Sequence, residues 1–443
     1  MDTERSVVSA AALTELAAAC RAVREADPSA DLVAGVTPAF VASPASTEEA
    51  SALLRTAAGY GLTVVPRGAG TGLGWGAPAS AGDLVVDMRR MDQVIEHAAG
   101  DLVARVQAGA TMGYLASVLA SAGQQLALDA PADATVGGVV ATGTAGPRRF
   151  RYGAPRDLLI GITVVRADGV IAHSGGKVVK NVAGYDLGKL FSGSQGTLGL
   201  ITEVTFRLHP RPAAEAWVTG DFAPYSPSDL AEVAAAAASA AGSTLVPSAV
   251  ELLWADSPDL LRVGVLLEGT PSGVNARAKQ MAELIAAAGE TPVVGLSETP
   301  LRWWEPIPEP ASLGTVVRVT FWVSQLASVL EALAGAGASA GVRPAVSGSA
   351  GAGVLYACLD PAAVDDTAAR FVSALRDRMS GVFAAAADGS GLIRGGVTVL
   401  AAPAAVIAAA GPDRPVPVAG LMRAVKDQFD PGHRMFPGRL GGS

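Results

Sequence analysis

Apolar positions change their period several times between Ser46 and Met88. Ser46-Thr47-Glu48-Glu49 has capping-box spacing, and the repeat behind it predicts a helix over Ala50 to Tyr60 that ends at Gly61. The short apolar runs Leu62 to Val65 and Asp83 to Met88 predict strands instead. Further on, Leu102 to Gln107 reads as a strand and Thr111 to Ala122 as a helix closed by Gly123. Leu158 to Val165 and Val170 to His173 form a hairpin around Ala167-Asp168-Gly169. This alternation predicts an α+β domain over residues 1–212, with His209-Pro210-Arg211-Pro212 as the boundary.

Beyond the boundary the pattern runs twice. Strand Ala216 to Phe222, helix Ser226 to Ala241, strands Ala249 to Trp254 and Leu261 to Leu267, and helix Val274 to Gly289 make one unit. Strand Thr315 to Trp322, helix Gln325 to Ala334 closed by Gly335, strand Val354 to Leu359 and helix Asp365 to Met379 begin another. Two ferredoxin-like halves forming one cap over residues 213–405 is the economical reading. Residues 406–443 are too short to fold alone. Their helix, from Leu421, runs into Phe429-Asp430-Pro431-Gly432 and is expected to dock back onto the first domain.

Composition narrows the function. A length of 443 residues exceeds the roughly 250 to 300 that one core sustains. The net charge of −8 and the lack of a dense Lys/Arg run argue against nucleic acid or an anionic membrane as partner. Met1-Asp2-Thr3-Glu4-Arg5 does not open a secretory signal, and Pro403 interrupts the weakly polar stretch Gly395 to Gly411, so a soluble, cytoplasmic protein without an integral membrane segment is expected. With only Cys20 and Cys358, the chain cannot supply a four-cysteine iron-sulfur cluster, and an onward electron path would need another polypeptide. His97, His173, His209 and His433 have no ligand-like spacing, so no metal site is expected.

Candidate chemistry begins at Pro66-Arg67-Gly68-Ala69-Gly70-Thr71-Gly72, where glycines alternate as far as Gly76 and let backbone amides converge on an anion such as a pyrophosphate. Gly72-Leu73-Gly74-Trp75-Gly76-Ala77 matches a dinucleotide fingerprint in form, yet a strand follows it, and that motif needs a helix. Alone, the loop reads equally well as a surface turn. Two more runs of small residues change the balance. One is Thr135-Val136-Gly137-Gly138-Val139-Val140-Ala141-Thr142-Gly143, with Tyr152 just beyond; the other is Lys180-Asn181-Val182-Ala183-Gly184-Tyr185 with Gly193-Ser194-Gln195-Gly196-Thr197-Leu198-Gly199-Leu200-Ile201.

Together these runs resemble the flavin-binding domain of the vanillyl-alcohol oxidase superfamily over about residues 40–210, with a further match at Phe429-Asp430-Pro431 and Pro437-Gly438-Arg439. The resemblance implies a PCMH-type FAD-binding domain of two α/β subdomains beneath the duplicated cap. It also implies cofactor contacts from Pro66, Arg67, Gly68, Ala69, Gly70, Thr71 and Gly72 to the pyrophosphate. Thr135, Val136, Gly137, Gly138, Thr142, Gly143, Tyr152 and Lys180 would line the flavin, and Gly196, Gly199, Leu200 and Ile201 would meet the adenosine end. Thr71 stands where covalent members carry histidine, so the FAD should be held non-covalently.

Within the superfamily, the missing histidines and Lys177-Val178-Val179-Lys180-Asn181-Val182-Ala183-Gly184-Tyr185-Asp186-Leu187 look most like the E-type subunit of glycolate oxidase. That resemblance implies an oxidoreductase acting on a CH–OH donor, a small 2-hydroxy acid, with a second flavoprotein and an iron-sulfur subunit as partners. A self-sufficient oxidase or dehydrogenase and a flavin-holding scaffold remain as alternatives. An arginine should clamp the substrate carboxylate, and Tyr152, Arg156 and Arg318 are the candidate catalytic residues. Their structural alternatives are an Arg156–Asp157 pair and a Tyr152 that only packs.

Overall fold

The computed structural model describes residues 2–177, 185–223, 227–254, 260–288, 293–297, 314–385, 395–411 and 419–439. It divides into two compact units: residues 1–144, 154–211 and 418–443 form one, and residues 145–153 and 212–417 the other.

In the first unit, α1 (Asp2–Ala19) precedes β1 (Val23–Glu25) and β2 (Phe40–Ala42); α2 (Thr47–Gly59), β3 (Val64–Arg67) and β4 (Leu84–Asp87) follow. The expected cap of α2 is there, since the Ser46 hydroxyl accepts from the Glu49 N–H at 3.2 Å. The Glu49 carboxylate instead takes the Ala45 N–H, so the reciprocal half of the box reaches one residue too far back. The strands form a sheet in the order β1-β2-β4-β3, with β3 and β4 parallel neighbours. The glycine loop joins these two parallel strands without a helix between them.

Then come β5 (Val94–Ala98), β6 (Val103–Gln107), α3 (Met112–Ala120), two-residue β7 (Gln124–Gln125) and α4 (Val136–Thr142). They are followed by α5 (Arg149–Tyr152), which belongs to the second unit, and in the first by α6 (Pro155–Leu158), β8 (Leu159–Val165), β9 (Ile171–Gly175), β10 (Leu200–Arg207) and two-residue β11 (His209–Pro210). A five-stranded sheet has the order β5-β6-β10-β8-β9, and the expected hairpin is the antiparallel β8–β9 pair. Leu115, Leu119, Val136, Val140, Ile162, Val204 and Phe206 fill the core on this sheet.

The second unit repeats one pattern. β12 (Ala214–Phe222), α7 (Pro227–Gly242), β13 (Ala249–Trp254), β14 (Leu261–Gly269), α8 (Pro271–Ala286) and β15 (Val293–Ser297) form the first half. β16 (Thr315–Phe321), α9 (Leu326–Ala340), β17 (Ala345–Ser349), β18 (Val354–Leu359), α10 (Asp365–Ala385) and β19 (Gly395–Ala401) form the second, followed by α11 (Ala404–Ala410). The eight strands make one sheet, β15-β12-β14-β13-β17-β18-β16-β19. Each half has its first and third strands central and its second and fourth outside, and the halves join through their second strands. This is a duplicated ferredoxin-like cap, and α7 to α10 bury one face of the sheet around Val263, Val265, Val317, Val319 and Leu333.

Some expected boundaries move. α9 does not stop at Gly335 but runs to Ala340 and is capped by left-handed Gly341. Gly335 lies inside the helix, facing the Arg378 guanidinium of α10, which a Cβ there would meet at 2.5 Å. β15, β17, β19 and the short α4 had not been anticipated. The segment 145–153 was placed with the first domain and instead belongs to the second unit, where its charged side chains find their partners.

After α11, α12 (Ala419–Phe429) opens the closing stretch of the first unit. Met435 bridges Val64, and the Phe436 N–H donates to the Val64 carbonyl at 2.8 Å. Among the described residues, no helix is long and apolar enough to cross a membrane.

Candidate functional site

In the first unit, β3 delivers Pro66 and Arg67 to the start of the glycine loop. A Cβ on Gly68 would lie 2.0 Å from the Thr135 hydroxyl oxygen, and one on Gly72 would lie 2.7 Å from Thr142 Cγ2. Thr135 caps α4 and Thr142 is its last residue, so both ends of that helix press on the loop. The turn at 193–199 closes another side. The Gly193 and Gln195 N–H groups donate to the Val140 and Ala141 carbonyls at 3.0 and 2.7 Å, and a Cβ on Gly196 would stand 3.2 Å from the Pro66 ring. The first two runs and the described Gly193–Gly199 part of the third therefore meet in one cradle.

The cradle presents donors. Among the described residues, the backbone N–H groups of Ala69, Gly70, Thr71 and Gly72 donate to no protein acceptor, while those of Leu73 and Trp75 close turns onto Gly70 and Gly72. The Trp75 indole nitrogen and the Ser194 hydroxyl are buried with no partner. Open backbone donors on the loop together with these two buried polar groups fit a ligand rich in acceptor oxygens.

Not every assigned cofactor residue has groups to offer. The first amides of α4 are taken up within the protein: Val136 N–H by the Ala110 carbonyl, Gly137 by Ala108 and Gly138 by the Thr135 hydroxyl, at 2.8, 2.7 and 3.3 Å. Gly143 ends α4 in the left-handed conformation against Gly193. Gly199 abuts the Val165 carbonyl, and Leu200 and Ile201 are buried at the start of β10. Lys180 and its neighbours to Gly184 lie outside the described residues.

Arg67 turns away to acids, 2.9 Å from Asp87 and 3.7 Å from Asp31. Burial alone would raise the Asp87 carboxyl, but hydrogen bonds from Arg89 and Arg67 outweigh it and hold the group below its ordinary value. Lys177 pairs with Glu96 on the strand edge, and His433 sits half-exposed, 2.9 Å from Asp427.

The tail adds residues that the sequence reading had not assigned. Lys426 Nζ, buried, donates to the Thr197 and Met435 carbonyls at 2.7 and 2.9 Å and to Asp430 at 2.5 Å. This staples the tail to the 193–199 turn. Arg439, also buried, donates to the carbonyls of Gly72, Leu73 and Ala77 and to Gln195 Oε1, all within 2.8–3.2 Å. Gln195 itself takes a left-handed φ of 53°. The Pro437-Gly438-Arg439 motif pointed at the tail but not at these partners, which lie more than 200 residues away.

The second unit holds a charged cluster of its own. Tyr152 on α5 donates to the buried Glu268 at 2.7 Å, and Arg148 reaches Glu268 and Glu215, both at 3.0 Å. Burial, then the bond to Glu268 and its charge, push the Tyr152 phenol up to about 12. It stays protonated near neutrality, with its proton directed at Glu268. Arg318 stands opposite Tyr356 in the β16–β18 ladder, and Arg149 approaches the same tyrosine hydroxyl at 3.4 Å. Both arginines thus neighbour Tyr356, whose strand face is opposite the one that the helices cover. Arg318 Nε is buried without an acceptor. Arg156, on α6 in the first unit, is exposed and makes no ion pair among the described residues.

Residues 38–175 match the family described as FAD binding domain. The chain is 40% identical over 178 residues to a probable mitochondrial D-lactate dehydrogenase of Danio rerio, covering 40% of this chain and 36% of that protein. It is 36% identical over 230 residues to the glycolate oxidase subunit GlcD of Bacillus subtilis, covering 51% and 47%. It is 36% identical over 177 residues to a D-2-hydroxyglutarate dehydrogenase of Xanthomonas citri pv. viticola, covering 40% and 37%. The matches thus span less than half of each relative's length. Among solved structures, 4-ethylphenol oxidase from Gulosibacter chungangensis superposes with a TM-score of 0.72 at 16% identity, covering 98% of this chain and 97% of that one. p-Cresol methylhydroxylase gives 0.71 at 16%, covering 98% and 97%. The chain has their fold.

Proposed function

We propose, from the premise of an FAD binding domain at residues 38–175, that the chain is an FAD-dependent oxidoreductase acting on the CH–OH group of a small 2-hydroxy acid. In this reading it is a subunit of the glycolate oxidase type, and its electrons pass to a second flavoprotein and an iron-sulfur subunit. One observation carries the proposal: three separate glycine runs pack into one cradle that leaves four consecutive backbone N–H groups open. The relatives named for D-lactate, glycolate and D-2-hydroxyglutarate support the substrate class. The name of the Bacillus protein, a subunit, and the two lone cysteines of this chain support partners.

The cradle fits the group. Backbone N–H groups of residues 69–72 would hold the diphosphate, and bare Cα atoms at Gly68 and Gly72 bring the loop down onto α4. When bound, the flavin accepts a hydride from a carbon positioned beside its ring. Arg318, expected from the sequence to meet the substrate, keeps a guanidinium N–H without an acceptor, which supports its pairing with a substrate carboxylate. Tyr152 holds Glu268, and through it Arg148, rather than acting as a base. Thr71 offers no imidazole to the flavin, so attachment is non-covalent in this reading.

The test is the flavin spectrum of the purified chain, followed by anaerobic glycolate and D-lactate with and without partner subunits. Bleaching that needs the partners supports the subunit reading, and bleaching of the isolated chain with reoxidation in air supports a self-sufficient enzyme. No bleaching in either case leaves an FAD-holding scaffold. Acid precipitation should release all the flavin. In a chain that turns over, Arg318→Met should raise KM for the acid at least 30-fold, and an unchanged KM would remove Arg318 from the site.

A further inference from the structure

We propose that Arg439 is a positioning residue that supplies the counter-charge of the cofactor's diphosphate, acting through the glycine loop; this rests on the FAD reading of the cradle. A loop built to receive an anion must turn its carbonyl oxygens away from it, because their dipoles repel negative charge. Arg439 gathers three of them, from Gly72, Leu73 and Ala77. Its Nε takes Gln195 Oε1 at 2.8 Å, which ties the 193–199 turn to the same fork. A Cβ on Gly76 would stand 3.1 Å from that Gln195 oxygen and 3.7 Å from Arg439 Nε, so the far end of the loop is drawn onto the pair as well.

The charge has no other partner in view. All four acceptors are neutral oxygens, and among the described residues no carboxylate forms an ion pair with Arg439. Its guanidinium also lies over the Phe436 ring at 4.8 Å, a contact that favours a cation without neutralising it. Among the described residues, the other buried basic group of this unit, Lys426, does have an acid. Burial pulls the Arg439 group down to about 10, yet it remains charged at neutral pH. An unpaired buried cation is costly, and the anion that relieves it here is the ligand of the loop it holds.

The experiment compares ADP with adenosine, and FAD with riboflavin, as ligands of the full-length apo chain by calorimetry and flavin fluorescence. For Arg439→Met, ADP and FAD affinity should fall at least 30-fold while adenosine and riboflavin change less than twofold. Arg439→Lys, which keeps the cation but loses the fork, should recover part of the ADP preference. If the Met variant does not fold, the Lys variant decides: a fall of threefold or more in the ADP-to-adenosine affinity ratio supports the proposal. An unchanged ratio, or equal weakening of all four ligands, overturns it. A wild-type chain that binds neither FAD nor ADP would instead overturn the cofactor reading.

Discussion

A methyl group at Gly68 has nowhere to go, because the Thr135 hydroxyl already occupies its place. Gly68→Ala should therefore destabilise the apo chain by about 1–3 kcal/mol through overpacking, and should lower FAD retention more than tenfold. Thr135→Ala removes a helix cap worth about 1 kcal/mol. The double variant should lose less than the sum of the two, and strict additivity in urea unfolding would show that the two residues do not meet. Asp87, which holds Arg67 at the start of the glycine loop, gives a pH signature of its own. Its folded carboxyl titrates below its unfolded value, so the stability it contributes is complete above the ordinary carboxylate range and is lost as pH falls through the folded value. Asp87→Asn should lower stability at pH 7, and the gap to wild type should close below about pH 4.

The tail is held by an element-scale device, the Lys426–Asp430 pair one turn apart at the end of α12. Lys426→Met strands a fully buried carboxylate and should cost about 3–5 kcal/mol, whereas Lys426→Met with Asp430→Leu should recover part of it. Chemical denaturation of the three chains checks the ordering. Which elements could be read from sequence follows from where their signals lie. α2 was legible because Ser46 and the apolar repeat are local, and β18 because Val354 to Leu359 is a continuous apolar run. α4 was not: seven small residues have no amphipathic period, and what makes them helical is the packing of Gly137 on Ala108 and of both end threonines on the loop. α9 was cut short at Gly335 because glycine ordinarily marks a helix end. Here it makes room for Arg378 of α10, a contact visible only after folding.

Across the whole molecule, the duplicated cap was legible as a repeat of element types, while the assignment of 145–153 to the second unit was not, since it depends on Glu215 and Glu268 far along the chain. The glycine loop was legible as a candidate anion site; the partners it meets in the fold, Gln195 and Arg439, were not, for the same reason of distance. Each unit carries one buried cysteine, Cys20 in the first and Cys358 in the second. Burial raises both thiols, Cys358 to about 12. Neither should react with a disulfide reagent in the native state. In moderate denaturant, FAD should slow the labelling of Cys20 and leave Cys358 unchanged, as mass spectrometry of the labelled peptides can read; equal slowing would mean that the two units open together. The Arg439 fork also sets the order of biosynthesis. Its contacts with Gly72 and Leu73 span 367 and 366 residues, so at about 5–20 residues per second a nascent chain carries an unfinished loop for roughly 20–70 s after the glycines emerge. In the FAD reading, a chain truncated before Arg439 carries the loop without its fork and should retain less flavin than one that includes it.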